Sequence, residues 1–284
     1  MNTAPWKAGQ LRLGTCSWTA KGWEKAFYPK GTKRTDFIRV YAERFSSVEI
    51  DASFYGIPRD TTLDTWRDET APGFVFSAKA PREITHDRFL LGCERPLASF
   101  LNAMDRLGEK RGPLLFQFPY FAKRKQVTLT DFLGRLKPFL DLLPQDSGHQ
   151  FALEVRNKTW ISAPLLEMLA HHQVALALID HPWMSRPRQL FGTPAIFTAP
   201  FLYVRWLGDR HGIEAITQVW NETVVDRAND MDAWVPGLQQ ALDTQLQVYG
   251  YVNNHYGGYA PNDVAHLEDK LSPWLPRRSR TDSP

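Results

Sequence analysis

The sequence predicts an α/β fold, a (β/α)8 TIM-type barrel in which helices surround a closed parallel sheet. Apolar runs of strand length alternate with segments of helical periodicity along most of the chain, and about eight such runs are present. The length of 284 residues is close to the roughly 250 residues of a single barrel domain. Polar side chains stand at the downstream ends of these runs, where barrel enzymes keep their catalytic residues.

The alternation assigns most of the chain to one barrel. The predicted strands cover residues 11–17, 47–51, 74–79, 113–117, 150–156, 174–180, 201–205 and 247–253. The clearest helical faces run over residues 37–45, 97–104 and 129–140, where apolar residues recur at helical spacing. Residues 1–274 are therefore expected to form a single barrel domain. Residues 275–284, rich in Arg, Ser and Pro, are expected to be a disordered basic tail.

Three loops at the expected carboxyl-terminal face are candidates for function. Residues 181–200 and 207–221 follow late strands and are long enough to act as lids, with surface decoration as the alternative. Residues 253–262 are rich in Asn and Gly, and barrels frequently bind phosphate in the loops after the last two strands. A tight turn without a ligand is the alternative for this last loop.

Composition and charge narrow the class of protein. Hydrophobic residues make up 43% of the chain, which excludes general disorder. Lys and Arg total 34 against 31 Asp and Glu, and the net charge of +3 is too small by itself to indicate a polyanionic partner. Two cysteines provide neither a disulfide framework nor a thiolate zinc site. The chain lacks a signal-like apolar start and any run near the roughly 18 apolar residues of a membrane span, so a cytoplasmic protein without membrane contact is expected.

The parity of the strands indicates where the polar end groups point. Alternate residues of a strand share a face, so Glu49 and Asp51 lie opposite Val48 and Ile50. If the apolar set packs against helices, the polar set projects into the barrel or its mouth. The polar strand-end residues are Glu49, Asp51, Lys79, Gln117, Glu154, Arg156, Asp180, Arg205, Asn253 and Asn254. We expect them to converge in one polar pocket.

Several of these residue types suit acid/base chemistry on an anion. Arg156 stands two residues after Glu154, so it is placed to hold that carboxylate ionised and to offer its remaining donors to a ligand. A structural ion pair is the alternative. Lys79 and Arg205 add two cations, which favours a phosphate or carboxylate ligand, with charge balance for Glu49 and Asp180 as the alternative. The candidate catalytic residues are Glu49, Lys79, His86, Glu154 and Asp180. The candidate substrate-binding residues among the polar strand ends are Gln117, Arg156, Arg205, Asn253 and Asn254.

Two other chemistries remain open for the same residues. Lys79 is also a candidate for Schiff-base formation with a carbonyl substrate. A divalent metal is possible because Glu49, Asp51, Glu154 and Asp180 with His86 or His255 supply oxygen and imidazole ligands. No compact ligand spacing supports a metal site, so no metal ligand is assigned and the sequence requires no cofactor.

Several motifs, taken in order, resemble the YecE-like family, which is domain of unknown function family seventy-two. They are residues 14–18, 27–29, 48–55, 76–81, 84–86, 112–119, 154–156 with Trp160, 203–205 and 253–254. The resemblance implies an eightfold barrel with a polar pocket at its carboxyl-terminal end and no established reaction. Trp18 and Tyr55, within these motifs, are further candidate substrate-binding residues. Asp51 and Leu207 depart from the family pattern, which often has Asn and His there.

The sequence therefore favours an enzyme that acts on a small anionic molecule by hydrolysis, isomerisation or lyase chemistry. Lys79, Arg156 and Arg205 would bind the anion, and Glu49 or Glu154 would move protons, with His86 as an acid partner. One alternative is nucleic-acid processing or binding, motivated by the pI of 8.8, the basic tail and the many aromatic residues. Another alternative is a noncatalytic ligand-binding barrel. The sequence does not indicate an oligomeric state.

Overall fold

The computed structural model describes residues 9–122, 127–144 and 147–277. Eight parallel strands form one sheet in the order β1-β8-β7-β6-β5-β4-β3-β2. The strands are β1 (Leu11–Thr15), β2 (Ser47–Ile50), β3 (Val75–Lys79), β4 (Arg111–Gln117), β5 (Phe151–Glu154), β6 (Ala175–Asp180), β7 (Phe201–Trp206) and β8 (Gln247–Val252). The predicted barrel fold is confirmed, and each predicted strand is present.

Helices surround the sheet and cover its outer face. They are α1 (Trp23–Ala26), α2 (Phe37–Arg44), α3 (Asp60–Glu69), α4 (Glu94–Asp105), α5 (Leu129–Leu140), α6 (Ala163–His171), α7 (Pro187–Phe191), α8 (Arg210–Ile216), α9 (Ala228–Asp232), α10 (Val235–Asp243) and α11 (Ala260–Lys270). The three clearest predicted helical faces correspond to α2, α4 and α5. The long segments after β6 and β7 contain the short helices α7 and α8, and lid movement by these segments stays a prediction.

The two faces of the strands have different environments, as the alternation of side chains requires. Outward-facing residues such as Val48, Phe116 and Leu153 belong to a large core shared with the helices. Inward-facing residues such as Leu115 and Ala152 form a smaller apolar cluster inside the barrel. The charged residues Glu154 and Arg205 occur two positions downstream of inward-facing residues, so the polar layer lies toward the carboxyl-terminal mouth.

A tyrosine hydroxyl bridges the junction between the first and last strands of the sheet order. In the described chain β1 and β2 lie side by side without a ladder of paired residues. The backbone N–H of Thr15 donates to the Tyr41 hydroxyl at 2.9 Å, and that hydroxyl donates to the Ser47 carbonyl at 3.2 Å. Gly14 permits this close approach, because a Cβ there would lie 2.0 Å from the Ser47 carbonyl oxygen. A side chain therefore helps to close the barrel.

The last described residues pack against the first described ones and against the outer core. Leu275 contacts the outer core, and Pro276 is buried beside Gly9. The expected basic tail at 275–284 therefore begins with packed residues, and its remainder, 278–284, lies outside the described residues. Among the helices of the described ranges, none is long and apolar enough to cross a membrane.

Candidate functional site

A single buried arginine connects two buried carboxylates inside the barrel mouth. Arg205, near the end of β7, places Nη2 2.7 Å from Glu49 Oε1 and Nη1 2.7 Å from Glu154 Oε2. Both glutamates are fully buried, and the arginine side chain is 3% exposed. A buried charge is tolerated when it is paired and hydrogen-bonded, and Arg205 pairs with both carboxylates at once. The predicted convergence of Glu49, Glu154 and Arg205 is therefore present in the structure.

Glu154 is shared between two arginines. Its second oxygen, Oε1, accepts from Arg156 Nε at 2.5 Å. Burial opposes ionisation of Glu154, but the charges and hydrogen bonds of Arg156 and Arg205 outweigh it and lower the pKa of this carboxyl to about 2. Such a carboxylate is a weak base at neutral pH. Glu154 is thus suited to orient the two arginines rather than to accept a proton.

Glu49 is held on its other side by Tyr203, which sequence analysis did not identify. The Tyr203 hydroxyl donates to Glu49 Oε2 at 2.6 Å and lies 3.0 Å from Ser77 Oγ. Burial and the charge of Glu49 raise the pKa of Tyr203 well above its usual value, so the hydroxyl stays protonated and donates. Tyr203 precedes Arg205 by two residues on the same strand face, and this parity was the signal that could have found it.

Lys79 is linked to the arginine network through Asp51. Lys79 Nζ lies 3.3 Å from Asp51 Oδ1, and the same oxygen is 3.9 Å from Arg205 Nη2. Lys79 Nζ also stands 3.9 Å from the centre of the Phe54 ring, a cation–π contact. The three acidic side chains Glu49, Asp51 and Glu154 thus face the three basic side chains Lys79, Arg156 and Arg205.

His86 also contacts the Phe54 ring, with the ring centres 4.9 Å apart and the ring planes nearly perpendicular. It belongs to a single π-helical turn (Glu83–Asp87), a geometry that is frequent at functional sites. Burial, with the positive charges of Lys79 and Arg82 among the other causes, lowers the pKa of His86 to about 4. Its Nδ1 is hydrogen-bonded to Thr85 Oγ1 at 2.8 Å. His86 is therefore neutral at physiological pH.

A cavity of 620 Å³ opens beside Arg156, between the loops that follow β4, β5 and β6. Its lining includes Arg156, Lys158, Tyr120, Trp160 and Trp183. The Arg156 side chain is 23% exposed, whereas its carboxylate partner is fully buried. The positive end of this ion pair therefore borders open space and its negative end does not.

His181 lies beside this cavity and was also missed by sequence analysis. Its ring is 5.0 Å from that of Trp183, and its Nδ1 accepts from the Trp183 backbone N–H at 3.3 Å. Burial and the charge of Arg156 lower its pKa, so it too is neutral at physiological pH. No periodic pattern marks a loop residue of this kind, and only its position directly after a strand end gave a signal.

Three other predicted substrate-binding residues lie around the mouth. Gln117 is inward-facing, pairs in register with Glu154 on the next strand, and donates to the Phe118 carbonyl. Tyr55 is 82% exposed and lines a separate groove of 630 Å³. Trp18 packs edge-on against Trp66 of α3, with ring centres 4.7 Å apart. Of these three, Gln117 is adjacent to the arginine network.

Asp180 does not join the network, contrary to the expected convergence. It lies on the outward face of β6, where its Oδ2 accepts from Trp234 Nε1 at 2.7 Å and from the Tyr256 hydroxyl at 3.0 Å. Burial raises its pKa. Ala175 and Ala177 face the interior of β6, whereas Leu176 and Leu178 face the helices. Asp180 shares the parity of the leucines, and this is the reason for its placement.

The two asparagines after β8 mainly shape their own loop. Asn253 Oδ1 accepts from the His255 backbone N–H at 3.0 Å and contacts the His255 ring at 2.6 Å. Asn254 Oδ1 accepts from the Ala260 N–H at 3.0 Å. Both asparagines line a small cavity of 190 Å³ together with Cys16, whose thiol pKa is raised well above its usual value by burial.

Candidate metal ligands are engaged by other side chains. Glu49 and Glu154 are engaged by Arg205, Asp180 by Trp234, and His255 Nε2 lies 3.1 Å from Glu214. Within the described ranges no three His, Cys, Asp or Glu side chains are placed together as a metal-binding group.

The fold and the site together define a parallel eightfold barrel with a charged network at its carboxyl-terminal mouth. The DUF72 family, described as a protein of unknown function, matches residues 12–282. The chain belongs to this family, as its motifs indicated.

Curated relatives and a solved structure agree with that assignment. The UPF0759 protein YunF of Bacillus subtilis is 30% identical over 285 residues, covering 92% of this chain and 94% of that protein. The UPF0759 protein YecE of Escherichia coli is 31% identical over 121 residues, covering 42% of this chain and 41% of that protein. A DUF72 family protein from Thermotoga maritima has a TM-score of 0.71 at 20% identity, covering 93% of this chain and 99% of that one, and this likeness shows the fold.

Proposed function

We propose that this chain is an enzyme that acts on a small anionic molecule at the carboxyl-terminal mouth of its barrel. The observation that carries the proposal is the placement of Arg156. Its Nε is fixed by a fully buried carboxylate, Glu154, while the side chain borders a 620 Å³ cavity. Among the described residues, its Nη atoms have no hydrogen-bond partner, and a guanidinium held in this way binds phosphate or carboxylate through two parallel donors.

The charge distribution supports an anion on the Arg156 side of the mouth. On the β2 and β3 side, Lys79 is already paired with Asp51 at 3.3 Å. On the β5 and β6 side, the cavity is lined by the positive charges of Arg156 and the exposed Lys158, and Glu154 beneath Arg156 is fully buried. The charge of Arg156 also contributes to the lowered pKa values of His86 and His181, after the larger effect of burial. The loops that follow β3 and β6, which carry His86 and His181, therefore lie in the same positive field.

The two neutral histidines are the proton-transfer groups of this proposal. Burial is the largest cause of the low pKa of His86, and the positive charges of Lys79, Arg82 and Arg156 add to it; a bound anion offsets these charges, so the pKa of His86 is expected to rise above about 4. A histidine whose proton affinity increases as the substrate binds is a candidate for proton transfer. Glu49 and Glu154, which the sequence suggested as proton carriers, instead hold Arg205 and Arg156 in position. Hydrolysis, isomerisation and lyase cleavage all use such a proton-transfer group.

The proposal is tested by ligand screening followed by turnover assays. Phosphorylated and carboxylated metabolites are screened by thermal shift, because a ligand that binds the folded state raises its melting temperature. Each binding compound is then assayed for turnover with wild type, Arg156→Met, His86→Gln and a surface control, Lys137→Met, whose side chain is 65% exposed. We expect Arg156→Met to weaken binding and His86→Gln to reduce kcat, with the control unchanged.

The same experiment separates an enzyme from a noncatalytic binder. Anion binding that Arg156→Met weakens, without turnover of any binding compound, contradicts the enzymatic part of the proposal. Full activity in both the Arg156→Met and the His86→Gln variants contradicts the residue assignment.

A further inference from the structure

The cavity beside Arg156 is much larger than an inorganic anion needs. Its volume of 620 Å³ lies within the range of about 300–1,000 Å³ that is usual for pockets that bind whole organic ligands. Most of its lining is apolar, and the apolar side chains are Tyr120, Phe121, Val127, Trp160, Pro182 and Trp183. The ligand that fits it has an anionic end and a substantial apolar body.

Two of the lining aromatic residues are exposed to an unusual degree. Trp183 is 59% exposed and Tyr120 is 46% exposed, and their ring centres lie 5.5 Å apart at an angle of 57°. Behind them Phe121 and Trp160 are stacked at 5.2 Å and 17°, so the wall is backed by packed side chains. Exposed aromatic rings on a supported wall mark a surface that binds another apolar or flat group.

The polar groups of the wall are few and lie mainly on the Arg156 side. Asn157 is engaged by the backbone of Phe121, since Oδ1 accepts from its N–H and Nδ2 donates to its carbonyl, both at 2.9 Å. The remaining polar lining residues are Arg156, Lys158 and Thr159. A pyranose ring carries many hydroxyl groups that need partners when buried, and this wall offers few. A nucleobase, with two flat π-faces and polar groups only at its edge, suits it better.

We propose that the ligand of this site is a nucleoside phosphate, with its base stacked on Trp183 and Tyr120 and its phosphate bound by Arg156. This inference deepens the proposed function and rests on it. Base stacking on an aromatic side chain is worth about 1–3 kcal/mol, which corresponds to about 5- to 150-fold in affinity.

The test is equilibrium binding by calorimetry with ligands that each lack one part. The probes are nucleoside 5′-monophosphates with purine and pyrimidine bases, ribose 5-phosphate, glucose 1-phosphate and inorganic phosphate. We expect at least one nucleotide to bind wild type more than about fivefold more tightly than ribose 5-phosphate, because only the nucleotide contains the base.

Variants then assign the two parts of the ligand to side chains. Trp183→Ala is expected to weaken nucleotide binding about 5- to 150-fold and to leave ribose 5-phosphate binding unchanged. Leu142→Ala is the control, since Leu142 is an apolar residue that is 43% exposed and does not line this cavity. Arg156→Met is expected to weaken nucleotide and ribose 5-phosphate binding alike. Because Trp183 and Leu142 are exposed, both of their variants are expected to fold, which circular dichroism checks.

The outcomes distinguish this inference from the proposed function. If ribose 5-phosphate and nucleotides bind equally and Trp183→Ala changes neither, the base-stacking inference is wrong and the anion site stands. If glucose 1-phosphate binds best and depends on Trp183, the ligand is a sugar phosphate and the nucleoside assignment is wrong. If none of these phosphates binds wild type, the nucleoside-phosphate inference is wrong, and the wider screen of phosphorylated and carboxylated metabolites decides the proposed function.

Discussion

Replacing Arg205 by methionine tests the buried charge network directly. Methionine keeps most of the length and apolar volume of the arginine stem but removes the charge. Glu49 then loses its cation at 2.7 Å, while Glu154 keeps Arg156. Removing one partner from a buried pair typically costs about 3–5 kcal/mol, because the other charge stays buried without compensation. We expect a loss of about 4 kcal/mol in the free energy of unfolding at pH 7.

The pKa of Glu154 gives an independent scale for this loss. In the folded protein it lies at about 2 rather than 4.5, which is equivalent to about 3 kcal/mol of stability at neutral pH. This stability is present above pH 4.5 and is lost as the pH falls through about 2. Arg156 also contributes to the low pKa of Glu154, so this stability does not depend on Arg205 alone. The arginine that pairs with Glu49 is Arg205, so its removal leaves Glu49 without that partner. Once Arg205 is removed, burial favours the protonated carboxyls, so the variant is less impaired at pH 5 than at pH 8.

Urea unfolding at pH 5, 7 and 8 measures both effects, with the intrinsic fluorescence of the 10 tryptophans as the signal. Arg210→Met is the matched control, because Arg210 is 70% exposed and pairs with Glu214 on the surface. Adding Glu49→Gln to Arg205→Met is expected to recover part of the loss, since the uncompensated charge disappears. A loss below about 1 kcal/mol that is the same at all three pH values would refute the reasoning.

Three further predictions concern the junction between β1 and β2, the helix α5 and the residue His86. Gly14→Ala is expected to destabilise the fold by more than about 2 kcal/mol, because the new Cβ would collide with the Ser47 carbonyl. Gly134→Ala, in open space on α5, is expected to stabilise the fold by about 0.5–1 kcal/mol. Equal effects of the two substitutions in urea unfolding would contradict this. Tyr41→Phe is expected to cost about 1–3 kcal/mol in the same assay, and an unchanged midpoint would contradict it. NMR titration is expected to give a pKa of His86 near 4 in wild type and a higher one in Lys79→Met. The contribution of His86 to stability is lost as the pH falls from 6.5 to 4. An identical titration in both proteins would contradict the effect assigned to the charge of Lys79.

Much of the fold followed from the sequence because each strand is an apolar run bounded by turn-forming residues. The largest differences in strand limits are in β1 and β5, which both end two residues earlier than predicted, and in β4, which begins two residues earlier. After β1, Thr15 Oγ1 donates to the Ser17 carbonyl, and this local hydrogen bond turns the chain away from the sheet. After β5, the Asn157 side chain bonds to the backbone of Phe121 on a neighbouring loop. Such side-chain contacts with loops lie outside what periodicity reports.

The candidate site was predictable where a strand alternates between polar and apolar residues. Parity placed Glu49, Glu154 and Arg205 inside the barrel because their neighbours are large and apolar. In β6 every residue before Asp180 is apolar, and only the alternation of small alanines with large leucines distinguishes the two faces. The cavity wall around Trp183 belongs to loops, whose conformation depends on contacts with distant segments. The periodic patterns of a sequence do not predict the positions of such loop residues.

The Tyr41 hydroxyl gives the cylinder one joint that differs from the other seven. Elsewhere, neighbouring strands are fastened by repeated backbone contacts, whereas β1 and β2 meet around one phenolic oxygen contributed by α2. Breathing motions of the wall should therefore start here, and amide protons of β1 beside this joint should exchange with solvent sooner than those of β7, which has paired neighbours on both sides. The same joint lies between β2, which carries Glu49, and β1, which ends just before Cys16, so its opening would let water reach the charged interior from the side.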